Sequence, residues 1–376
     1  MNFLWFIIEY YLYLKIHRNI KGIKMLTKMK DLTKLGQNIW LDYISYSLLN
    51  SGELEKMIKD FGLSGITSNP SIFLNSISSD SYYQERLNKV KSTNITPEER
   101  YEEIVIADIK KACDIFLPLY CSSKYYLGYV SLEVSPFIAM NADSTILNAK
   151  RLYDKIDRPN LMIKIPATDQ GIIAMEKLIF LGININMTLL FSYERVLKIW
   201  ESYIKALNER VANNLPINAI KSVVSVFISR IDNEVDSLLP IELKGKTAIS
   251  LSKILYDKYL SIFHGIAFRQ LKSSGAMAQE LLFASTSTKN INYSDVLYVN
   301  ELIGKETINT LPIKTIESFN DHGSVKLKLG EDLDQAKEDF QKVKSIVNIQ
   351  DVSAKLEQNG LNLFIESYNG LMKLMK

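Results

Sequence analysis

The sequence predicts an α/β protein that forms a closed (β/α)8 barrel, the TIM-barrel architecture, in a single domain. From Leu35 onward, short apolar runs alternate with longer stretches of helical period. The runs are hydrophobic on nearly every residue, as parallel strands are when helices cover both faces of their sheet. Eight such runs match the number of strands that closes the barrel. An open dinucleotide-binding sheet is the alternative, but the chain contains no G-x-G-x-x-G and has 16 glycines.

Each predicted strand is a short run bounded by polar or helical sequence. In chain order, the eight predicted strands are NIWLDYI (38–44), SGITSN (64–69), LGYVSLEV (127–134), LMIKIPA (161–167), ININ (183–186), SVVSVFISRI (222–231), LLFAST (281–286) and INTLP (308–312). In a barrel of this kind, the C-terminal ends of the strands meet at one mouth. Residues at those ends are therefore the candidates for functional groups.

The helices between the strands carry recognisable end signals. Ser51 is expected to cap a helix that ends at Gly62, a residue suited to the left-handed conformation found after helices. Thr96, with Glu99 three residues later, predicts the capping box that begins a longer helix. A third helix is predicted for 169–182, between the fourth and fifth strands.

Composition and charge exclude several classes of function. The net charge is +3, from 45 basic and 42 acidic residues, and the basic residues are scattered, so no nucleic-acid surface is expected. The three histidines and two cysteines have no metal-ligand spacing, and the histidines have no evident carboxylate partner, so neither a metal site nor a Ser-His-Asp hydrolase is expected. Cys113 and Cys121 also form no disulfide framework, which fits a reducing compartment such as the cytoplasm.

Residues 1–25 are expected to lie outside the fold as an N-terminal extension, and residues 26–376 to form the barrel domain. The apolar run NFLWFIIEYYLYL is short for a membrane span and contains Glu9. Basic residues follow this run, whereas in a secretory signal they precede it. The segment is interpreted as sequence upstream of a start at Met25 or as a targeting or membrane-surface segment, which would place the protein in an organelle. No other membrane association is expected.

Polar side chains interrupt the predicted strands or follow them directly, and one of them is a lysine within the apolar run LMIKIPA. An ammonium group is costly to bury, so Lys164 is expected to favour its neutral, nucleophilic form. The interrupting residues are Asp42, Thr67, Asn69, Glu133, Lys164, Asn186, Thr188, Ser225, Arg230, Ser285, Ser287 and Lys289. Any one of them is readily explained as a cap, a turn residue or a solvated charge. Their occurrence at many strand ends indicates a shared site.

The residue types suit carbon–carbon bond chemistry on a phosphorylated sugar. A neutral lysine attacks a ketone to form an imine, which draws electrons from the neighbouring bond once it is protonated. Glu133 is suited to the proton transfers of imine formation through a water molecule, and Asp42 to removing a hydroxyl proton beside the broken bond. Arg230 and Lys289 are suited to binding phosphate. Uncharged hydrogen bonds to sugar hydroxyls are expected from Asn69, Asn186 and Ser225.

The motifs GQNIWLDYIS, GITSNPSIF, SLEVSP, MIKIPATDQG, INMTLLFS, SVVSVFISRID and LLFASTSTKN resemble those of the transaldolases, in particular their longer subgroup. The resemblance extends from about Leu35 to the C-terminal helix GLNLFIESYNGLM. It implies a barrel with extra helices and neither cofactor nor metal. Such enzymes transfer a dihydroxyacetone unit from sedoheptulose 7-phosphate to glyceraldehyde 3-phosphate, giving erythrose 4-phosphate and fructose 6-phosphate, in the pentose phosphate pathway. Their substrates are phosphorylated sugars, and a homodimer is compatible with the resemblance.

The resemblance also implies a role for each matched residue. Lys164 would form the Schiff base, Glu133 would act as acid and base through a water also held by Thr188, and Asp42 would take and return the proton at the broken bond. The sugar and its phosphate would be bound by Thr67, Asn69, Asn186, Ser225, Phe227, Arg230, Lys289 and either Ser285 or Ser287. Lys289 stands where shorter members carry arginine.

The chain departs from the family pattern at two positions and leaves two other functions open. Tyr43 and Glu280 replace an expected asparagine and an expected basic residue, and Glu280 would weaken the local positive potential. The fructose-6-phosphate aldolases of the same family tend to carry Gln in place of Glu133 and Tyr in place of Phe227, so these residues favour transfer over net cleavage. A non-catalytic phosphosugar-binding barrel would have no need of the lysine and both acids together.

Overall fold

The computed structural model describes residues 27–376, and the expected extension 1–25 lies outside them. Eight parallel strands form a closed barrel in the order β1 to β8, each paired with its neighbours in sequence and β8 with β1. The strands are β1 Gln37–Leu41, β2 Leu63–Thr67, β3 Tyr129–Glu133, β4 Leu161–Pro166, β5 Ile185–Leu190, β6 Ser222–Phe227, β7 Glu280–Ala284 and β8 Thr307–Leu311. Every residue of β2 to β8 is buried, as expected for strands enclosed by helices. The predicted fold is confirmed.

Helices surround the barrel and extend beyond its eight repeats. Among residues 27–376 they are α1 Lys28–Lys34, α2 Tyr46–Asn50, α3 Glu53–Phe61, α4 Pro70–Ser79, α5 Tyr83–Lys91, α6 Pro97–Ser122, α7 Ala142–Ile156, α8 Asp169–Phe180, α9 Tyr193–Ala212, α10 Ser229–Val235, α11 Thr247–Phe263, α12 Ile266–Ser273, α13 Leu297–Glu301, α14 Ile313–His322, α15 Leu333–Ile346 and α16 Ile349–Met375. Short 3-10 helices occupy Pro136–Ile138, Asp236–Leu238 and Ile241–Leu243. In this part of the chain, no helix combines the length and apolarity that crossing a bilayer requires.

Several predicted element bounds were wrong. The fifth strand was predicted for 183–186, but Asn184 lies in the preceding turn, where its side-chain amide donates to the carbonyls of Pro159 and Leu161. The strand itself runs through the apolar residues that follow. The sixth strand was predicted to continue to 231, but it ends at Phe227 and α10 begins at Ser229.

The helix signals are confirmed with two shifts. One is that α8 begins at Asp169 as predicted but ends at Phe180 rather than at 182. Thr96 and Glu99 form the predicted capping box at the start of α6. Gly62 ends α3 in the left-handed conformation, with a φ of 72°. The N-cap of α3 is Gly52 rather than Ser51, although the Ser51 hydroxyl accepts a hydrogen bond from the Glu53 amide at 3.3 Å.

The C-terminal helix α16 reaches the mouth of the barrel. It packs against α4 and α6 and contacts β5 and α10 at the C-terminal end of the sheet. The Ser353 hydroxyl donates to the Phe191 carbonyl at 3.0 Å, just beyond β5. A Cβ on Gly360 would lie 2.7 Å from Leu189 and 3.5 Å from Arg230, so this glycine permits a close approach.

Glu280 lies at the opposite end of the barrel from the mouth. It is the first residue of β7, where its carboxylate contacts the Lys221 ammonium, and both side chains are 1% exposed. The expectation that Glu280 would weaken the positive potential of the site was wrong, because an acid paired at the N-terminal end of the sheet does not face the mouth.

Candidate active site

The strand register gathers most of the predicted residues at the C-terminal mouth. Glu133 pairs with Lys164 across β3 and β4, and Lys164 pairs with Asn186 across β4 and β5. Thr188 lies two residues further along β5, so it points to the same side of the sheet as Asn186. Side chains alternate between the two sides of a strand. This register therefore puts Lys164, Glu133 and Thr188 on the same side of three adjacent strands.

Lys164 and Glu133 form a buried but open ion pair. The Lys164 Nζ lies 3.7 Å from the Glu133 Oε2, and the two residues are 4% and 8% exposed. Among residues 27–376, neither carboxylate oxygen of Glu133 has a hydrogen-bond partner. The pKa of Glu133 is raised to about 7, chiefly by burial; nearby Lys164 opposes the rise, and the charge of Asp42 adds a smaller contribution to it. This carboxyl can therefore both give and accept a proton near neutral pH.

Thr188 has the same incomplete bonding. Its hydroxyl is buried and, among the described residues, has no hydrogen-bond partner. Buried polar groups in proteins are almost always paired, so unpaired oxygens on Thr188 and Glu133 mark a place suited to a substrate or water hydroxyl. The next residue, Leu189, takes a left-handed conformation with a φ of 59°, and the pairing of β5 with β6 shifts register between Met187 and Leu190. Such strain is common beside functional groups.

Asp42 lies just beyond β1 and is tied to β2. The Thr67 hydroxyl donates to its Oδ1 at 2.7 Å and also pairs with the Thr310 hydroxyl at 2.8 Å. Burial raises the pKa of Asp42, while Lys164 and the Thr67 hydrogen bond oppose the rise. The coupling of Asp42 to Lys164 puts the second carboxyl within electrostatic reach of the lysine. The Thr67 hydroxyl thus orients the carboxylate of Asp42.

The two predicted asparagines, Asn186 and Asn69, differ in how much of their hydrogen-bonding capacity is occupied within the fold. Asn186 is fully buried, donates to the Ser131 hydroxyl at 3.1 Å and accepts from the Ser225 hydroxyl at 2.6 Å. The Asn69 side chain accepts from the Ile72 amide at 2.9 Å and caps α4. Asn69 therefore has the cap role that is common at strand ends. Among residues 27–376 its side-chain NH2 group has no hydrogen-bond partner, so it is available to a ligand.

The predicted phosphate-binding residues come together on one side of the mouth. The Arg230 guanidinium lies 5.2 Å from the centroid of the Phe227 ring. Burial lowers the pKa of Lys289, and the charge of Arg230 lowers it further, so the two cations are near one another. Ser285 bonds Ser229, the neighbour of Arg230, through hydroxyls 3.0 Å apart. The Ser287 hydroxyl instead pairs with Thr315 on α14 at 2.7 Å.

Ser131 and Thr310 were not predicted from the sequence, although both hydrogen-bond to predicted site residues. Ser131 stands two residues before Glu133 in the same strand, so alternation alone would have placed both on one face. Thr310 is itself a polar residue within the predicted strand 308–312, and its hydroxyl meets that of Thr67 past the intervening strand β1. Within residues 27–376, no group of three or more His, Cys, Asp or Glu side chains is arranged to hold a metal ion.

Comparisons with known proteins cover nearly all of the described chain. A family model described as "Transaldolase/Fructose-6-phosphate aldolase" matches residues 39–375. A transaldolase of Thiobacillus denitrificans is 42% identical over 351 residues, which span 91% of this chain and 98% of that protein. A transaldolase of Neisseria gonorrhoeae is 42% identical over 348 residues, which span 92% of this chain and 99% of that protein. A transaldolase of Trichodesmium erythraeum is 40% identical over 364 residues, which span 92% of this chain and 96% of that protein.

Proposed function

Because the chain belongs to the transaldolase/fructose-6-phosphate aldolase family, we propose that it is a transaldolase in which Lys164 is the nucleophile. It is a transferase that moves a dihydroxyacetone unit from sedoheptulose 7-phosphate to glyceraldehyde 3-phosphate. The products are erythrose 4-phosphate and fructose 6-phosphate, which places the reaction in the pentose phosphate pathway. The observation that carries the assignment is the open pair of Lys164 and Glu133, 3.7 Å apart and buried at the mouth.

The first half of the reaction forms an imine and cleaves the donor. The Lys164 amine attacks the C2 carbonyl of the ketose, and the resulting carbinolamine loses water with protons moved by Glu133. Asp42 takes the proton of the C4 hydroxyl, the C3–C4 bond breaks, and its electron pair moves into the protonated imine to give an enamine. Erythrose 4-phosphate leaves as the aldehyde.

The second half reverses these steps on a new acceptor. The enamine carbon attacks the aldehyde of glyceraldehyde 3-phosphate, and Asp42 returns its proton to the new hydroxyl. Water then adds to the imine, and Glu133 moves the protons that release fructose 6-phosphate and the free Lys164 amine. The unpaired Thr188 hydroxyl supports a role in holding that water.

Phosphate binding is proposed for Arg230 and Lys289, with Ser285 as the accompanying hydroxyl. Two cations near one another match a doubly charged phosphate, and Arg supplies a planar fork of donors. Ser285 is favoured over Ser287 because its hydroxyl lies beside Ser229 at the start of the Arg230 helix. Thr67, Asn69, Asn186 and Ser225 are proposed to line the sugar site, as the polar part of the mouth.

Phe227 supports transfer rather than net cleavage. Its ring lies beneath the Arg230 guanidinium and packs against Phe191 with centroids 5.6 Å apart, so this wall of the site is apolar. A phenol at the same position would bring a proton donor that favours release of the three-carbon unit. A cytoplasmic location is also part of the proposal, supported by the free thiols of Cys113 and Cys121.

Borohydride trapping tests the proposed chemistry. The protein is incubated with fructose 6-phosphate, reduced with sodium borohydride and digested, and the peptides are analysed by mass spectrometry. We expect a reduced three-carbon unit on the peptide LMIKIPATDQG and none in the Lys164→Met variant. An unmodified peptide from folded protein would refute the Schiff-base role. Addition of erythrose 4-phosphate then separates transfer from cleavage, because only transfer yields sedoheptulose 7-phosphate.

A further inference from the structure

The two proposed phosphate-binding cations lie on different elements and repel one another. Arg230 is in the first turn of α10, and Lys289 is in the loop 285–296 between β7 and α13. Within residues 27–376 no carboxylate lies within ion-pair distance of either side chain. The loop is long and its residue Ile291 is 96% exposed, so the loop contributes little apolar packing at that point. Something else must hold Lys289 near Arg230.

Asp236, directly after α10, is bonded to that loop. Its Oδ2 accepts a hydrogen bond from the Tyr293 hydroxyl at 2.7 Å, and its Oδ1 accepts from the Gly245 amide at 2.9 Å. Tyr293 is four residues beyond Lys289 in the same loop. Asp236 therefore links the end of the Arg230 helix to the Lys289 loop through one side chain.

Asp232 repeats the same arrangement one helical turn earlier. Its Oδ2 accepts from the Tyr298 hydroxyl at 2.8 Å, and its Oδ1 accepts from the Ala248 amide at 2.9 Å. Residues four apart lie on one face of a helix, so both acids face the same neighbours. Asp232 and Tyr298 are 0% and 1% exposed, which makes this second link part of the interior.

Gly245 makes room for the tyrosine. It has a φ of 71°, and a Cβ at this position would lie 3.0 Å from Cζ of Tyr293. The Tyr293 ring thus lies directly against the backbone that also donates to Asp236. Packing on one side and a hydrogen bond at the hydroxyl restrict the position of the half-buried Tyr293 ring, and with it the loop that carries it.

We propose that the Tyr293–Asp236 hydrogen bond, supported by Tyr298–Asp232, is a clasp that positions the Lys289 loop against the Arg230 helix for binding one phosphate group. Tyr293 is a positioning residue, which acts through Lys289. The clasp opposes the repulsion between the two cations and orders the loop before ligand binding, which lowers the entropic cost of binding. This inference rests on the proposed function, since it assigns the mouth cations to the phosphate of the sugar.

The test compares two tyrosine-to-phenylalanine variants that each lose one hydroxyl bond to an aspartate. Tyr293→Phe removes the clasp, and Tyr83→Phe removes a bond to Asp108, also 2.7 Å long, between α5 and α6. For Tyr293→Phe we expect the KM for fructose 6-phosphate to rise about fivefold, the usual effect of one hydrogen bond, with kcat nearly unchanged. The KM for unphosphorylated fructose should stay the same. Tyr83→Phe should change neither KM.

A double variant decides whether the clasp acts through the lysine. In a Lys289→Ala background, Tyr293→Phe should add less than about twofold to the KM, because coupled residues are not additive. An additive effect, an equal rise with unphosphorylated fructose or no rise at all would overturn the proposal. Calorimetric titration with inorganic phosphate gives the same comparison without turnover. If the wild-type protein binds phosphate but does not transfer the three-carbon unit, the proposed function is refuted. The calorimetric comparison of the variants still tests the clasp in that case.

Discussion

The barrel contains two buried lysine–glutamate pairs, one at each end, and they are built differently. At the N-terminal end, Lys221 contacts Glu280 directly, and both side chains are 1% exposed. At the C-terminal mouth, Lys164 lies 3.7 Å from Glu133, and the two side chains are 5% and 2% exposed. The residue types are the same, and both pairs are almost fully buried. The difference lies in the partners that surround each pair.

The N-terminal pair is closed by a third residue. The Tyr126 hydroxyl donates to Glu280, and the Lys221 Nζ lies 3.9 Å from the centroid of the Tyr126 ring. Both carboxylate oxygens of Glu280 are therefore occupied, one by the lysine and one by the phenol. A closed pair of this kind holds the strands β6 and β7 together and leaves no site for a ligand.

The pair at the mouth lacks such closure. Neither oxygen of Glu133 is bonded within residues 27–376, and burial raises its pKa to about 7. An open pair costs stability, because a buried charge without hydrogen bonds is poorly compensated. Burial of a lysine in this barrel therefore does not by itself indicate catalysis. What distinguishes the mouth is the unused bonding capacity around the lysine.

Exchange of each lysine for methionine gives the largest expected contrast. Lys164→Met should lower kcat by a factor on the order of 10⁴ or more, because the nucleophile is lost. It should leave the fold intact, because methionine is close to the lysine stem in shape and Glu133, with its raised pKa, can take up a proton when the cation is lost. Lys221→Met should destabilise the protein by about 3–5 kcal/mol, because Glu280 is left buried without its cation. Steady-state kinetics and urea unfolding measure the two effects. Loss of turnover in folded Lys221→Met protein would contradict a purely structural role for the pair at the N-terminal end.

Exchange of each glutamate for glutamine should change stability in opposite directions at pH 8. The folded-state pKa of Glu133 is raised, so its contribution to stability is fully present below its unfolded pKa and is lost as the pH rises through about 7. Glu133→Gln removes this loss and should raise the free energy of unfolding at pH 8 by roughly 1–3 kcal/mol. It should also lower kcat by about 10²–10⁴.

Glu280→Gln is the matched variant at the other end. It leaves Lys221 buried with a weaker partner and should lower the free energy of unfolding at the same pH. Unfolding at pH 5.5 and pH 8 measures both. A Glu133→Gln protein that is less stable than wild type at pH 8 would show that the mouth pair is as well compensated as the closed one.

Tyr126→Phe should have the smallest effect. It removes the hydroxyl that closes the N-terminal pair and keeps the ring beneath Lys221, so stability should fall by about 1 kcal/mol. The kinetic constants for fructose 6-phosphate should stay within about twofold of wild type, since the change is at the far end of the barrel. A pronounced change in kcat would mean that the two ends are coupled through the strands.

Much of the fold could be predicted because its signals are local. The capping box at Thr96 and Glu99 involves residues three apart, and the eight apolar strands are short continuous runs. The errors arose where neighbouring patterns merged. Asn184 continued the apparent strand pattern of ININ but bonds to carbonyls of the β4 region, and the polar residues after Phe227 begin a helix. Periodicity alone does not reveal such long-range bonds.

The sequence by itself determined the barrel and the kinds of reactive group at its mouth, because strand alternation and strand order place residues of adjacent strands together. The tertiary structure decided which groups are left unpaired. Tyr126 closes the pair of Glu280 from 154 residues away, and Tyr293 reaches Asp236 across 57 residues. Burial and hydrogen bonding depend on such distant contacts. For that reason the two buried lysines differ: Lys221 is bonded within a closed pair, and Lys164 lies in an open one.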